Sequence, residues 1–172
     1  MAFSIYDASV PICSQHLGAL AAIAGKAAEH CAANKIEEAA LLQDRLYPDM
    51  FCLARQLRQA ADFGRLTPGR LAGVTDPGSA PTDDTTFSAA KKRLEDAQAF
   101  VNTLTRAQLD GAEDKIVAWT AGASERKMKG IHYLQQFGLP NFFFFATTAY
   151  DILRHRGVKI GKMDFLGPVA WL

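Results

Sequence analysis

No stretch of this chain reaches the roughly 18 uninterrupted apolar residues that suggest a membrane-spanning helix. Its first residues, MAFSIYDASV, have no basic segment leading into an apolar run, so neither a membrane span nor an export signal is expected. Cysteine is scarce. Cys13, Cys31 and Cys52 are odd in number and lack the short paired spacings of a zinc site or a dithiol motif, which suits a reducing cytoplasm. Charge of one sign is missing too: 19 basic and 18 acidic residues leave a formal +1, too little to mark a nucleic-acid partner. The glycines at 69 and 73 are not followed by the Lys-Ser/Thr of a phosphate loop, and no G-x-S-x-G elbow occurs. Nucleotide and serine hydrolases therefore have no support. Histidine is confined to His16, His30, His132 and His155.

What is present is the composition of a globular domain, with 49% hydrophobic and 22% charged residues in 172 positions. One domain over residues 1–172 is expected. Cys13, Leu17, Leu20, Ala24, Ala27 and Cys31 recur at helical spacing and predict a first helix from Ser9 to Asn34, with Ser9 as its cap and Pro11 in its opening turn. A helical turn around Glu37–Gln43 precedes Tyr47-Pro48-Asp49, where Asp49 is expected to cap a second long helix with Met50, Leu53, Leu57, Ala60 and Gly64 as its stripe. Thr67-Pro68-Gly69 predicts a kink or restart. The Pro-, Gly-, Asp- and Thr-rich segment from Val74 to Thr86 reads as a long connection. Phe87, Ala90, Leu94, Ala97, Val101 and Leu104 then define a third helix, whose Lys91, Lys92, Arg93, Glu95 and Asp96 form a solvated face.

The segments DKIVAWT and KMKGIHYL flank AGASER and predict a short β-hairpin. A fourth helix opens at Leu139-Pro140-Asn141 and stops at Gly157 after Arg154-His155-Arg156, with Leu139, Phe142, Ala146, Ala149 and Leu153 as its core stripe. The fold class is all-α, a four-helix bundle with a hairpin before the last helix. Phe142 to Phe145 spread across about 300° of that helix, far wider than one core stripe. Some of these rings fill the bundle. The others pack under the hairpin, the tail or a second subunit, or line a dimer contact or an apolar ligand pocket.

Three blocks, RLYPDMFCLARQLRQAADF, DDTTFSAAKKRLEDAQAFV and LPNFFFFATTAYDILRHRGVKIGKMDFLG, resemble the DinB/YfiT-like metalloenzyme superfamily, and within it a bacterial branch known only as a domain of unknown function. The resemblance spans nearly the whole chain. It implies a DinB-like bundle with up-down-down-up topology, often dimeric, in which active members hold nickel or zinc through three histidines. Two of those form an HxxxH pair on the last helix, where residues i and i+4 lie about 40° apart and both imidazoles reach one ion. Aligned on the helix end Ile152–Val158, the pair falls on Asn141 and Phe145. The branch looks like NxxxH, so Asn141 fits it and Phe145 departs from it. The third ligand would come from the second helix, which has no histidine.

The resemblance with these departures implies no metal, no cofactor and no catalytic residue. The expected protein is a homodimer that binds a small apolar or mixed ligand, with Gln56, Gln59, Asn141, Phe145 and Tyr150 as candidate pocket residues. The competing expectation is a metal-dependent hydrolase or thiol transferase with replacement ligands. Among single residues, His16 and His30 share a face of the first helix, His155 suits the negative end of the last helix, and His132 lies on the hairpin segment. Cys52 lies early in the second helix, and Asp62 and Asp151 are carboxylates on helical faces. Each of these has an ordinary structural role as its simplest account.

Overall fold

The computed structural model describes residues 4–74, 81–121 and 123–171. Four long helices carry it: α1 (Val10–Asn34), α3 (Leu53–Leu71), α4 (Phe87–Asn102) and α7 (Leu139–His155). Between them lie α2 (Glu38–Leu42), α5 (Arg106–Leu109), the hairpin β1 (Ile116–Ala121) and β2 (Ser124–Lys129), and the short turn α6 (Gly130–His132); α8 (Lys162–Leu166) follows. The apolar stripes meet in one core that includes Leu17, Leu20, Leu57, Leu94, Phe142 and Leu153. Among the described residues, no helix is long and apolar enough to cross a membrane.

Helix directions follow from which residues touch. Ser14 near the start of α1 donates to Asn102 at the end of α4, 2.7 Å away, so these two run antiparallel. Arg58 early in α3 pairs at 2.8 Å with Asp83, just before α4, while Gly69 late in α3 lies against the Phe100 ring late in α4. Those two are therefore parallel. Gly64 of α3 faces Phe142 of α7, and Thr67 faces Gly138, which makes α7 antiparallel to α3. The result is the up-down-down-up bundle, in which the long connection after α3 carries the chain back to the end where α3 began. Part of that connection lies outside the described residues. Its last residues are anchored, with Asp84 paired to Arg93 and the Thr86 hydroxyl accepting from Ala89 N–H at 3.2 Å. Glu38 of α2 also accepts from Phe87 N–H, placing an anion at the positive end of α4.

Several local expectations change. Ser9 stands at the α1 N-cap, but its hydroxyl donates backward to the Ile5 carbonyl at 2.6 Å, because the preceding turn is itself buried and its carbonyls need partners. Asp49 does not cap α3. The helix begins after Cys52, and Leu53 N–H is taken by the Asp44 carbonyl at 2.8 Å. Pro68 does not interrupt and restart the helix: α3 runs as one helix to Leu71 with Pro68 inside it. Thr67 and Pro68 are buried in the core, and packing outweighs the lost hydrogen bond.

The hairpin is present, but its second strand starts earlier than the sequence suggests. Ala121 pairs with Ser124 and Ile116 with Lys129, so Ser124-Glu125-Arg126 is strand and Gly130–His132 is already helical. Val117 and Trp119 point inward while Ile116 is exposed, the alternation of a one-sided sheet. From α6 the chain continues through a π-helical stretch, Tyr133–Gly138, into α7. The last helical path thus begins nine residues before Leu139. Pro140 has no N–H to give to the turn before it, and the wider π register accommodates that loss. Gly157, with φ +89°, ends α7: Gly157 N–H bonds the Arg154 carbonyl and Val158 N–H the Leu153 carbonyl, a Schellman closure.

Gly130 explains how tightly the hairpin is seated. A Cβ there would sit 1.8 Å from the Ala112 carbonyl oxygen, whereas one at Gly25 in α1 would meet nothing within 4 Å. Gly130→Ala should therefore lower stability by at least about 1–3 kcal/mol through forced backbone displacement. Gly25→Ala should raise it by about 0.5–1 kcal/mol through helix propensity. Thermal or urea melts of the two variants check both signs.

Candidate functional site

The close approach of α3 and α7 at Gly64 sets the geometry of the most distinctive surface. A Cβ at Gly64 would lie 2.8 Å from Leu17 Cδ2 and 3.0 Å from Phe142 Cε2, so only glycine admits the fully buried Phe142 ring. From there the four phenylalanines diverge as the helix turns. Phe143 is half-buried, edge-on to His16 at a centroid distance of 4.9 Å. Phe144 is 55% exposed. Phe145 turns back under the segment that precedes α3, nearly parallel to Phe51 (6.3 Å, 9°) and stacked on Phe63 of α3 (5.6 Å, 26°).

Phe51, Phe144 and Phe145, with Asp49, Met50 and Gln56, line a cavity of about 270 Å³ that is broadly open to solvent. Gln56 is 1% exposed. Its Nε2 donates to the Phe51 carbonyl at 3.0 Å, which fixes the amide orientation because a carbonyl only accepts. Its Oε1 is buried with no hydrogen-bond partner among the described residues. Leaving a buried acceptor unmet costs about 1–3 kcal/mol. Arg55 lies over the Phe51 ring, 4.1 Å from its centroid, and Arg45 donates to the Met50 carbonyl, so both nearby cations are engaged.

Of the residues proposed from sequence, Gln56 and Phe145 share this cavity. Asn141 is half-buried and its Nδ2 donates to the Phe137 carbonyl at 2.7 Å, satisfying a group at the π stretch. Gln59 is half-buried on α3. Tyr150 packs edge-on against Phe165 of α8 at 5.6 Å, on the side of α7 that faces α1 and the tail. Phe51, Met50 and Phe63 went unrecognised as pocket or wall residues. The signal available for them was the aromatic count around the second helix, but only the antiparallel approach of α7 brings Phe51 and Phe63 to Phe145.

The remaining candidates take other places. His16 Nδ1 lies 3.0 Å from the Ile12 carbonyl, and its ring is enclosed by Phe142, Phe143 and Phe165. His30 sits beside Asn34, while His132 and His155 are exposed. Asp62 is paired to Arg65 and Arg58, and Asp151 is exposed on α7. All three cysteines are buried and free, and burial pushes the Cys13 thiol up to about 12, far from a thiolate.

At the two positions where the resemblance would put imidazole ligands, Phe145 has no donor atom and Asn141 carries an amide whose Nδ2 donates to the Phe137 carbonyl. Among the described residues, no three His, Cys, Asp or Glu side chains converge. Neither position offers the imidazole that the resemblance implies.

The solved structures include a near match in fold. The crystal structure of a DinB family member protein from Shewanella denitrificans is similar at a TM-score of 0.87 and 30% sequence identity, over 98% of this chain and 94% of that one. No curated protein matches the chain. The family model described as "Domain of unknown function (DUF1993)" matches residues 5–166. With that match and the DinB-like bundle on which it rests, the chain belongs to the DUF1993 family of domains of unknown function.

Proposed function

We propose that this protein is a non-catalytic, small-molecule-binding member of the DinB-like fold. In this reading an aromatic cavity takes over the region where active members of the superfamily hold a metal. The observation that carries it is the Phe145 ring, stacked on Phe63 and parallel to Phe51 beside a buried Gln56 acceptor. Rings of this kind favour apolar ligands and raise the cost of a bare divalent ion nearby.

The reading also includes pairing of two copies. Its support is the exposure of large apolar side chains: Phe51 and Phe144 on the cavity, and Leu46 and Tyr47 in the same connecting segment as Phe51, exposed by 38%, 55%, 48% and 65% respectively. Exposed aromatic surface of this kind is a liability for a soluble monomer. A second copy over it would close the open side of the cavity.

Elemental analysis after exposure to Zn²⁺ and Ni²⁺, with loose ions removed, should find well under one ion per chain. Phe145→His should not restore stoichiometric binding, since one imidazole leaves the set short of donors, and it should lower the melting temperature through loss of the stacked ring. One tightly held ion per native chain would instead favour a metal-dependent hydrolase or thiol transferase with replacement ligands.

Sedimentation equilibrium should give a dimer. Phe144→Glu should shift it to monomer at micromolar concentration while circular dichroism shows the helical fold retained, because over half of that side chain lies outside the packing of its own chain. A monomeric native chain would sink the pairing.

A further inference from the structure

The small-molecule reading leaves open what kind of molecule the cavity prefers, and the buried amide narrows it. Resting on that reading, we infer that the cavity between α7 and the start of α3 selects flat, uncharged molecules that donate a hydrogen bond. A neutral heteroaromatic N–H, a phenol or a small aromatic alcohol has this chemistry.

The polarity of the cavity comes from Gln56. One of its two amide N–H groups donates to the Phe51 carbonyl, and the buried atom without a partner is the Oε1 acceptor. A ligand carboxylate or ether would bring an acceptor against Oε1, and a pure hydrocarbon would leave it as orphaned as before. A donor removes the defect. The rest of the wall, Met50, Phe51, Phe144 and Phe145, supplies apolar contact and ring faces. Phe51 and Phe145 stand within 9° of parallel with centroids 6.3 Å apart, less than the roughly 7 Å an intercalated ring needs, so a planar guest would lie along these rings and not between them.

Oε1 is buried, so a guest reaches it only by displacing a neighbouring group, and of the lining rings Phe144, 55% exposed, has the least burial to lose. Phe145, at 9% and held by Phe63, stays as the fixed face. Asp49 is the one carboxylate among the lining residues, and it is exposed to water, which screens its charge. The buried Oε1 acceptor therefore sets the selection.

Indole and benzofuran isolate the donor, since they share shape and differ at one ring atom, N–H against O. Titration of the full native chain with each, followed by ¹H–¹³C shifts of the Met50 methyl and the aromatic rings, should show indole binding about tenfold more tightly, the worth of one well-made hydrogen bond. Gln56→Leu should bring the two affinities together, and circular dichroism checks that the variant is folded. If it is not folded, phenol against anisole on the native protein gives a second, independent comparison, in which phenol should win by a similar factor. Equal binding, or tighter binding of benzofuran and anisole, would overturn the donor inference while leaving the small-molecule reading intact. No binding of any of the four probes at millimolar concentration would overturn both.

Discussion

The approach of α3 to α7 is the constraint on which the rest of the molecule depends. It is made possible by two glycines on opposite helices: Gly64, against which Phe142 lies, and Gly138, where a Cβ would come within 2.6 Å of Thr67 Cγ2. Two helices so close leave no room for side chains of intermediate size along the seam. The seam is filled by one buried phenylalanine, and the next inward ring, Phe145, is displaced toward the opening between α7 and the residues before α3. The aromatic cavity is a by-product of that packing.

The same seam explains the irregular start of the last helix. Gly138 closes a π-helical stretch, Pro140 follows within one turn, and Asn141 returns its amide to the Phe137 carbonyl. A wider turn rotates the residues that follow relative to those before it. Trp119, Tyr133 and Phe137 consequently form one aromatic cluster beneath the hairpin, while Phe142 to Phe145 face the bundle and its open side. Asn141 thus ties the first turn of α7 to the π-helical stretch before it.

Much of the architecture was legible from periodicity. The stripes through Cys13–Cys31, Leu53–Gly64, Phe87–Val101 and Phe142–Leu153 are core, since an amphipathic helix has one way to hide its apolar side, whereas Met50, expected to open the second stripe, precedes the helix and lines the cavity, and Leu139 is only half-buried. Gly157 as a terminator was legible for the same local reason. What failed were signals whose local preference competes with burial. Pro68 should break a helix, yet the core holds it in one. Ser9 and Asp49 should cap helices, yet neighbouring carbonyls are the partners used. Gly130, read as part of a strand, is the residue that lets the chain turn helical against Ala112.

By itself the sequence determined the fold class, the number of long helices and the absence of imidazole from Asn141 and Phe145, because side-chain spacing and donor atoms are properties of the chain alone. It also placed Gln56 and Phe145 on facing helices. Only the tertiary structure decided that Gln56 would spend its amide on the Phe51 carbonyl and strand its oxygen, and that Phe51 and Phe63 would flank Phe145. The Gln56 bond spans five residues and depends on the course of the turn before α3, whereas the rings around Phe145 come from segments roughly 80 to 95 residues apart, and no local rule carries that information.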